Sequence, residues 1–231
     1  MLIYGKQLFL YLLSRYPERI QNVYLAKECD KKLFSSIAKL GIRIERVDEK
    51  KAQGLAKGGN HQGFLAEITP FELVPLSSLK KANFLVMLFG VTDMGNIGAI
   101  IRSAYAFGVD GVIVANLKHL KTEQILRTSS AAALEMPVAL VQNAYDVINE
   151  LRLEKFNIYA ADMSGESILD VKLDGKKLLI LGSEGEGIPN RLLEKCDKKI
   201  CIKTAREFDS LNVSAAAAVL FDRICNGKGK E

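Results

Sequence analysis

The sequence predicts an α/β protein of two domains: a small α/β domain, then a larger one built on a mostly parallel sheet with helices on its faces. Three observations carry that prediction. Short apolar runs alternate with amphipathic stretches along nearly the whole chain, the rhythm of β-α-β units. A stretch carrying Pro70, Pro75, Ser77 and Ser78 interrupts the rhythm, as an interdomain linker does. Finally, 231 residues of 48% hydrophobic content suffice to bury the cores of two domains. The expected division is residues 1–69, a linker at 70–82, and residues 83–231.

Each element has a local reason. Gly5 to Tyr16 puts Leu8, Leu12 and Leu13 on one side of a helix. Arg19 to Ala26 reads as a short strand, and Asp30 to Leu40 as a helix capped by Asp30. Ile42 to Val47 alternates like a strand, Asp48 to Ala56 is a helix, and Phe64 to Ile68 is a further strand. Between the last two lies Lys57-Gly58-Gly59-Asn60-His61-Gln62-Gly63. Past the linker, strands are expected at Phe84–Gly90, Gly111–Ala115, Pro137–Val141 and Ile158–Ala161. Helices are expected at Asn96–Phe107, from Thr122, and at Asn143–Lys155. The basic tail, Lys228 to Lys230, is expected to fray.

Composition narrows the function classes. No apolar run approaches a membrane span, and the first residues lack a signal-peptide profile. Cys29, Cys196, Cys201 and Cys225 have no C-x-x-C spacing, so neither zinc nor a disulfide framework is indicated. Scattered reduced thiols fit the cytoplasm. His61 and His119 are too few for a histidine-based metal site. Residues 1–82 hold 14 Lys and Arg against 8 Asp and Glu, a net of +6; the rest holds 18 against 19, a net of −1. A basic front half suggests a polyanionic partner.

Three loops carry the candidate chemistry. Leu178 to Leu181 feeds Gly182-Ser183-Glu184-Gly185-Glu186-Gly187-Ile188-Pro189, a strand, a Gly-rich turn and a Pro-started helix. The glycines are spaced G-x-x-G-x-G, which excludes the dinucleotide fingerprint. Glu184 and Glu186 would repel a phosphate, whereas hydroxyls and a cationic centre are tolerated. A turn needing positive φ would explain the glycines alone. In the second loop, Asp93 to Arg102 opens an otherwise apolar helix on which Arg102 needs a partner, either Glu184 or a substrate phosphate. In the third, Ile200 to Ile202 ends a strand, and Ser210-Leu211-Asn212 enters a helix starting near Val213. Ala215 to Ala218 thins its first turns, so another backbone, subunit or flat ligand can come close.

Together, N-x-G-x-x-x-R at Asn96, Gly98 and Arg102, G-x-E-x-x-G at Gly182, Glu184 and Gly187, and S-L-N-V-S from Ser210 to Ser214 resemble the SpoU, or TrmH-type, branch of the SPOUT RNA methyltransferases. The order and spacing match over roughly the last 150 residues, a typical domain length. The sequence departs from the usual pattern at four places. Met94 replaces a common Pro, Lys203-Thr204 a common Pro-Met, and Arg206 a common Gly. Ala132 stands where a Ser-x-Gly-Ala segment has Gly.

The resemblance implies a deep trefoil knot in the C-terminal domain and, through the segment His61-Gln62-Gly63, a ribosomal-protein-L30e-like substrate-binding domain before it. It implies methyl transfer from S-adenosyl-L-methionine to a ribose 2′-OH, most like the enzymes acting on a guanosine of 23S ribosomal RNA. Carried over by position, Gly182, Ile202 and Leu211 bind the cofactor through their backbone, and Asn96, Arg102, Glu184, Ser210 and Asn212 serve the reaction. No metal is required. RNA is the partner, with no DNA and no membrane, and a homodimer is expected. A transfer-RNA methyltransferase and a non-catalytic RNA-binding or ribosome-assembly protein of the same fold remain as alternatives.

Overall fold

Residues 1–206 and 210–227 are described by the structure, a computed structural model; the tail Lys228 to Lys230 lies outside the described residues. Four strands form the N-terminal sheet: β1 (Leu2–Tyr4), β2 (Ile20–Leu25), β3 (Arg43–Arg46) and β4 (Phe64–Ile68). Their order is β1-β4-β2-β3, with β4 antiparallel to both neighbours and β3 parallel to β2. Helices α1 (Lys6–Arg15), α2 (Lys31–Lys39) and α3 (Glu49–Leu55) connect them. The helix starts are local: Asp30 accepts from Lys32 N, and Asp48 from Lys51 N. β1 was not expected, because three residues are too few to show alternation; its pairing with β4 creates it.

The second sheet comprises β5 (Phe84–Phe89), β6 (Gly111–Ala115), β7 (Val138–Val141), β8 (Asn157–Ser167), β9 (Lys177–Gly182) and β10 (Lys198–Cys201). The order is β10-β8-β9-β5-β6-β7, and every pairing is parallel. Val86 and Leu88 of β5 face Ile97 and Ile101 of α4 (Met94–Phe107) and Leu220 and Phe221 of α8 (Val213–Asn226). Leu85 and Met87 face the other way, toward α6 (Ala144–Leu153) and α7 (Asn190–Leu193). Strands covered on both sides read as continuous apolar runs, which is why they were visible in the sequence. Among the described residues no helix is long and apolar enough to cross a membrane.

Two stretches differ from expectation. β8 continues to Ser167 rather than stopping at Ala161, although Asp162 to Ser167 is too polar to read as a strand. It is held by β10, and a Cβ on Gly165 would lie 2.5 Å from backbone atoms of Lys199 and Ile200. The segment 70–82 is packed rather than loose. Val74 N donates to Val138 O at 2.9 Å, Phe71 and Leu79 are buried, and Leu76–Leu79 forms a 3-10 turn.

Helix α5 (Thr122–Thr128) lies against α4 at Gly98. A Cβ on Gly98 would sit 1.8 Å from Thr128 Oγ1 and 3.0 Å from the Ile125 carbonyl. Gly98→Ala should therefore cost about 1–3 kcal/mol, or roughly 3–10 °C in melting temperature for a chain of this size. Thr128→Ala in the same chain should recover part of that loss in a thermal melt. An unchanged melting temperature for the single variant would contradict the contact.

Ser130 (φ +52°) and Ala131 (φ +71°) after α5 are both left-handed, and Ala132 starts a 3-10 turn. The cost is small. A left-handed alanine is strained by roughly 1–2 kcal/mol, while glycine there would forfeit a buried methyl of about 0.8 kcal/mol and gain chain entropy on unfolding.

The two domains meet at Glu135, whose carboxylate accepts from Tyr11 at 3.4 Å, from Tyr16 and from Tyr105. Tyr11 and Tyr16 belong to the first domain and Tyr105 to α4. The Tyr105 and Tyr16 hydrogen bonds hold the Glu135 carboxyl below its ordinary range. Burial and the same hydrogen bond push the Tyr16 hydroxyl up.

Candidate active site

Parallel α/β sheets place ligands at the C-terminal ends of their strands, and here β9 and β10 end in the two loops singled out by sequence. Gly182 closes β9, and a Cβ on it would lie 2.3 Å from the Gly187 carbonyl carbon. The loop folds back on itself, Gly187 N donating to Ser183 O at 3.0 Å, with Gly187 at φ +66°. A side chain at 182 would force that hairpin open. Positive φ at 187 is one requirement; close backbone approach at 182 is the second.

Glu184, on this hairpin, joins all three motif segments. Its Oε1 accepts from Asn96 Nδ2 at 3.1 Å, Asn212 Nδ2 at 2.5 Å and Val213 N at 3.3 Å. Asn212 Nδ2 also reaches Asn96 Oδ1 at 3.1 Å. Asn212 is in addition the cap of α8: its Oδ1 accepts from Ser214 N at 2.9 Å and Ala215 N at 3.3 Å. Asp93 caps α4 by accepting from Asn96 N at 2.7 Å. Helix entries and site residues are therefore the same residues.

Behind this network lies a cavity of about 440 Å³, within the range of small-ligand sites. Gly182, Glu184, Ser210, Leu211 and Ile202 all line it. Asn96 and Asn212 meet at its rim through Glu184. Arg102 stands six residues along α4 from Asn96 and is exposed. Of the two partners open to Arg102, Glu184 is not the one it meets: Glu184 is taken by amide donors, and among the described residues Arg102 has no carboxylate within ion-pair distance. The reason for expecting a pair also lapses, because an exposed guanidinium stays hydrated. Ala217 packs into the core and Ala216 lines the cavity, while Ala215 faces solvent.

Sequence reasoning missed one wall, Ala161-Asp162-Met163 on β8. Gly165 two residues on was the available signal, since an isolated glycine in a strand often marks close backbone approach. His61 is a buried turn histidine: its Nδ1 accepts from Gly63 N at 3.1 Å and Nε2 sits 3.3 Å from Glu49 Oε1. Among the described residues no group of three or more His, Cys, Asp or Glu is placed to hold a metal ion.

Residues 83–222 match the family model of the SpoU rRNA methylases. The chain belongs to the SpoU rRNA methylase family. Residues 2–74 match the RNA 2′-O ribose methyltransferase substrate-binding model. The chain is 33% identical to the 23S rRNA (guanosine-2′-O-)-methyltransferase RlmB of Haemophilus ducreyi, over 98% of this chain and 97% of that one. It is 35% identical to RlmB of Pasteurella multocida, over 94% of each. The fold matches that of the SpoU methyltransferase AviRb from Streptomyces viridochromogenes in complex with AdoMet, with TM-score 0.77 and 21% identity over 98% of this chain and 89% of that one. Two of the departures from the SpoU pattern lie beside the site. Met94 is the first residue of α4, where Pro is favoured because the N–H there has no helical partner anyway. Thr204 lines the cavity, and its hydroxyl donates to Arg206 O at 2.9 Å.

Proposed function

We propose that this SpoU-family chain is an S-adenosylmethionine-dependent RNA methyltransferase that methylates the ribose 2′-OH of a guanosine in 23S ribosomal RNA. The observation that carries this reading is Glu184 Oε1 gathering Asn96, Asn212 and Val213 N at the mouth of the cavity. That network sets the three motif segments in one arrangement beside a space of the right size.

The cavity fits the cofactor. Its walls are apolar at Leu181, Ile188, Ile202 and Leu220, suited to a flat base, and carry the carboxylates of Asp162, Glu184 and Glu186. Among the described lining residues there is no lysine or arginine, so a cationic centre meets no repulsion. S-adenosylmethionine, when bound, supplies a methyl group activated by its sulfonium. Gly182, Ile202 and Leu211 hold it, chiefly through backbone groups, since Gly182 leaves that strand end bare. Arg102, always protonated, grips a substrate phosphate with its planar fork and stabilises the negative charge growing on the ribose oxygen. Asn96 and Asn212 orient the ribose, Glu184 fixes their side chains, and Ser210 borders the entrance. Removing water from this mouth strengthens each of these interactions.

Residues 1–69 act as the RNA-binding domain, 70–82 as the linker and 83–231 as the methyltransferase domain, and the protein works in the cytoplasm. The strand order, in which the chain passes from β8 to the interior β9, out to the edge β10 and back under α4 as α8, supports a knotted C-terminal domain. The chain functions as a homodimer: Met163 and Leu211 at the cavity and Val219 on α8 are large apolar residues left exposed, and a second copy would cover them. Light scattering should then give twice 25.5 kDa; a stable monomer at working concentration would sink the dimer. The activity is tested by mapping ribose methylation of ribosomal RNA in a strain lacking the protein. One guanosine of 23S ribosomal RNA should lose its mark and regain it with the wild-type chain but not with Arg102→Ala. An unchanged methylation map would overturn the reading.

A further inference from the structure

A second concave site of about 430 Å³ lies where the two domains meet. Tyr4, Tyr11, Asn60 and Gln62 come from the first domain, Arg127 and Ser130 from the second. No carboxylate occurs among its described lining residues. The Asn60 amide offers a donor and an acceptor side by side, the pattern that matches base edges, while Gln62 offers its Nε2 donors, its Oε1 accepting from Lys6 N at 3.0 Å. Phenol and guanidinium planes stack on bases.

The groups are held in place. Arg127 lies over the Tyr4 ring, 4.6 Å from its centre, and donates to the Tyr4 hydroxyl. A Cβ on Gly59 would come within 2.2 Å of that hydroxyl, so the glycine lets the ring lie against the loop. Gln62 (φ +53°) and Ser130 (φ +52°) are left-handed non-glycine residues from opposite domains, and both line the site. Such conformations persist where the surroundings impose them. The site is also close to the chemistry. Thr128, beside Arg127, donates to the Met94 carbonyl at 3.2 Å, on the helix that carries Asn96 and Arg102.

We propose that this cleft takes one unpaired nucleobase of the RNA, flanking the modified nucleotide, and so selects the segment that is methylated. This rests on the RNA-methyltransferase reading above. A lone phosphate fits less well, because the one cation among the described lining residues is already engaged by Tyr4.

The test uses the full chain with 23S ribosomal RNA fragments transcribed in vitro. Asn60→Ala and Gln62→Gly are suitable, since both residues are exposed and glycine keeps the left-handed backbone; a thermal melt of Gln62→Gly checks that loss of its hydrogen bond from Lys6 N leaves the fold intact. Each should lower kcat/KM by about 10- to 100-fold, the worth of a good base contact, mostly through KM, with cofactor affinity within about twofold. In parallel, fragments substituted with 4-thiouridine should cross-link to Tyr4 or Tyr11. Unchanged kcat/KM in both variants, or cross-links confined to other surfaces, would overturn the cleft assignment. A wild-type chain that methylates none of the fragments strikes at the enzyme reading instead, and the cross-links still report on the cleft.

Discussion

Arg102→Ala should slow methyl transfer by on the order of 10³-fold while leaving melting temperature and cofactor affinity as they are. Three observations set that combination. The side chain is exposed, so its removal opens no cavity. Among the described residues it pairs with no carboxylate, so no buried charge is stranded. The cavity proposed to hold the cofactor is lined by the Gly182 and Leu211 loops and not by Arg102. Stability should therefore change by less than about 0.5 kcal/mol, as for surface substitutions free of special contacts. Arg102→Lys should remain deeply impaired, because an ammonium is a point charge and cannot copy the two-pronged grip. Single-turnover methylation, thermal unfolding and titration with cofactor separate the outcomes. A folded variant that methylates at near-normal rate would remove Arg102 from the reaction.

Gly182→Ala should act in the opposite sense, on binding and stability together. The added methyl would meet the Gly187 backbone at 2.3 Å, and backbone in a closed hairpin has nowhere to move without opening the loop. Overpacking of this kind costs about 2–3 kcal/mol, which is roughly a 30- to 150-fold loss of affinity if the closed loop is the binding form. The same displacement carries Glu184 away from Asn96 and Asn212, so turnover should fall further than binding. Calorimetric titration with S-adenosylhomocysteine measures the first effect directly. Near wild-type affinity would show that the strand end at 182 is not part of the cofactor site.

What could be read from the sequence was whatever one segment decides by itself. Asp30, Asp48, Asp93, Asn143 and Asn212 each cap a helix because a short polar side chain reaches its own backbone two or three residues on. The doubly covered strands were equally plain. What could not be read depends on a partner distant in sequence. β1 exists through β4, the polar end of β8 through β10, and the packing of residues 70–82 through β7. The site follows the same division. Gly182, Glu184 and Asn212 were reached through the resemblance of three local motifs, whereas the Asp162 wall and the cleft at Tyr4 and Arg127 arise only when elements meet. The exposure of Arg102 was hidden for that reason: an apolar helix suggested a buried charge, and the helix turned it outward.

The Glu184 network has a consequence for how the protein comes into being. Asn96 and Glu184 are 88 residues apart, and Asn96 and Asn212 are 116 apart. Contacts of such separation must overcome loop-closure entropy before they return any energy, and parallel strand pairing is itself slow. The hydrogen bonds on Glu184 Oε1 and the pairing of β5 with β9, which spans a similar separation, should therefore both form late in folding. During synthesis the chain has no complete site until Asn212 and the first turns of α8 have left the ribosome. A truncated product ending before that point lacks Asn212 and Val213 N, two of the three groups that donate to Glu184 Oε1. Ligand binding by the newborn chain should switch on late and abruptly, with the arrival of its final helix.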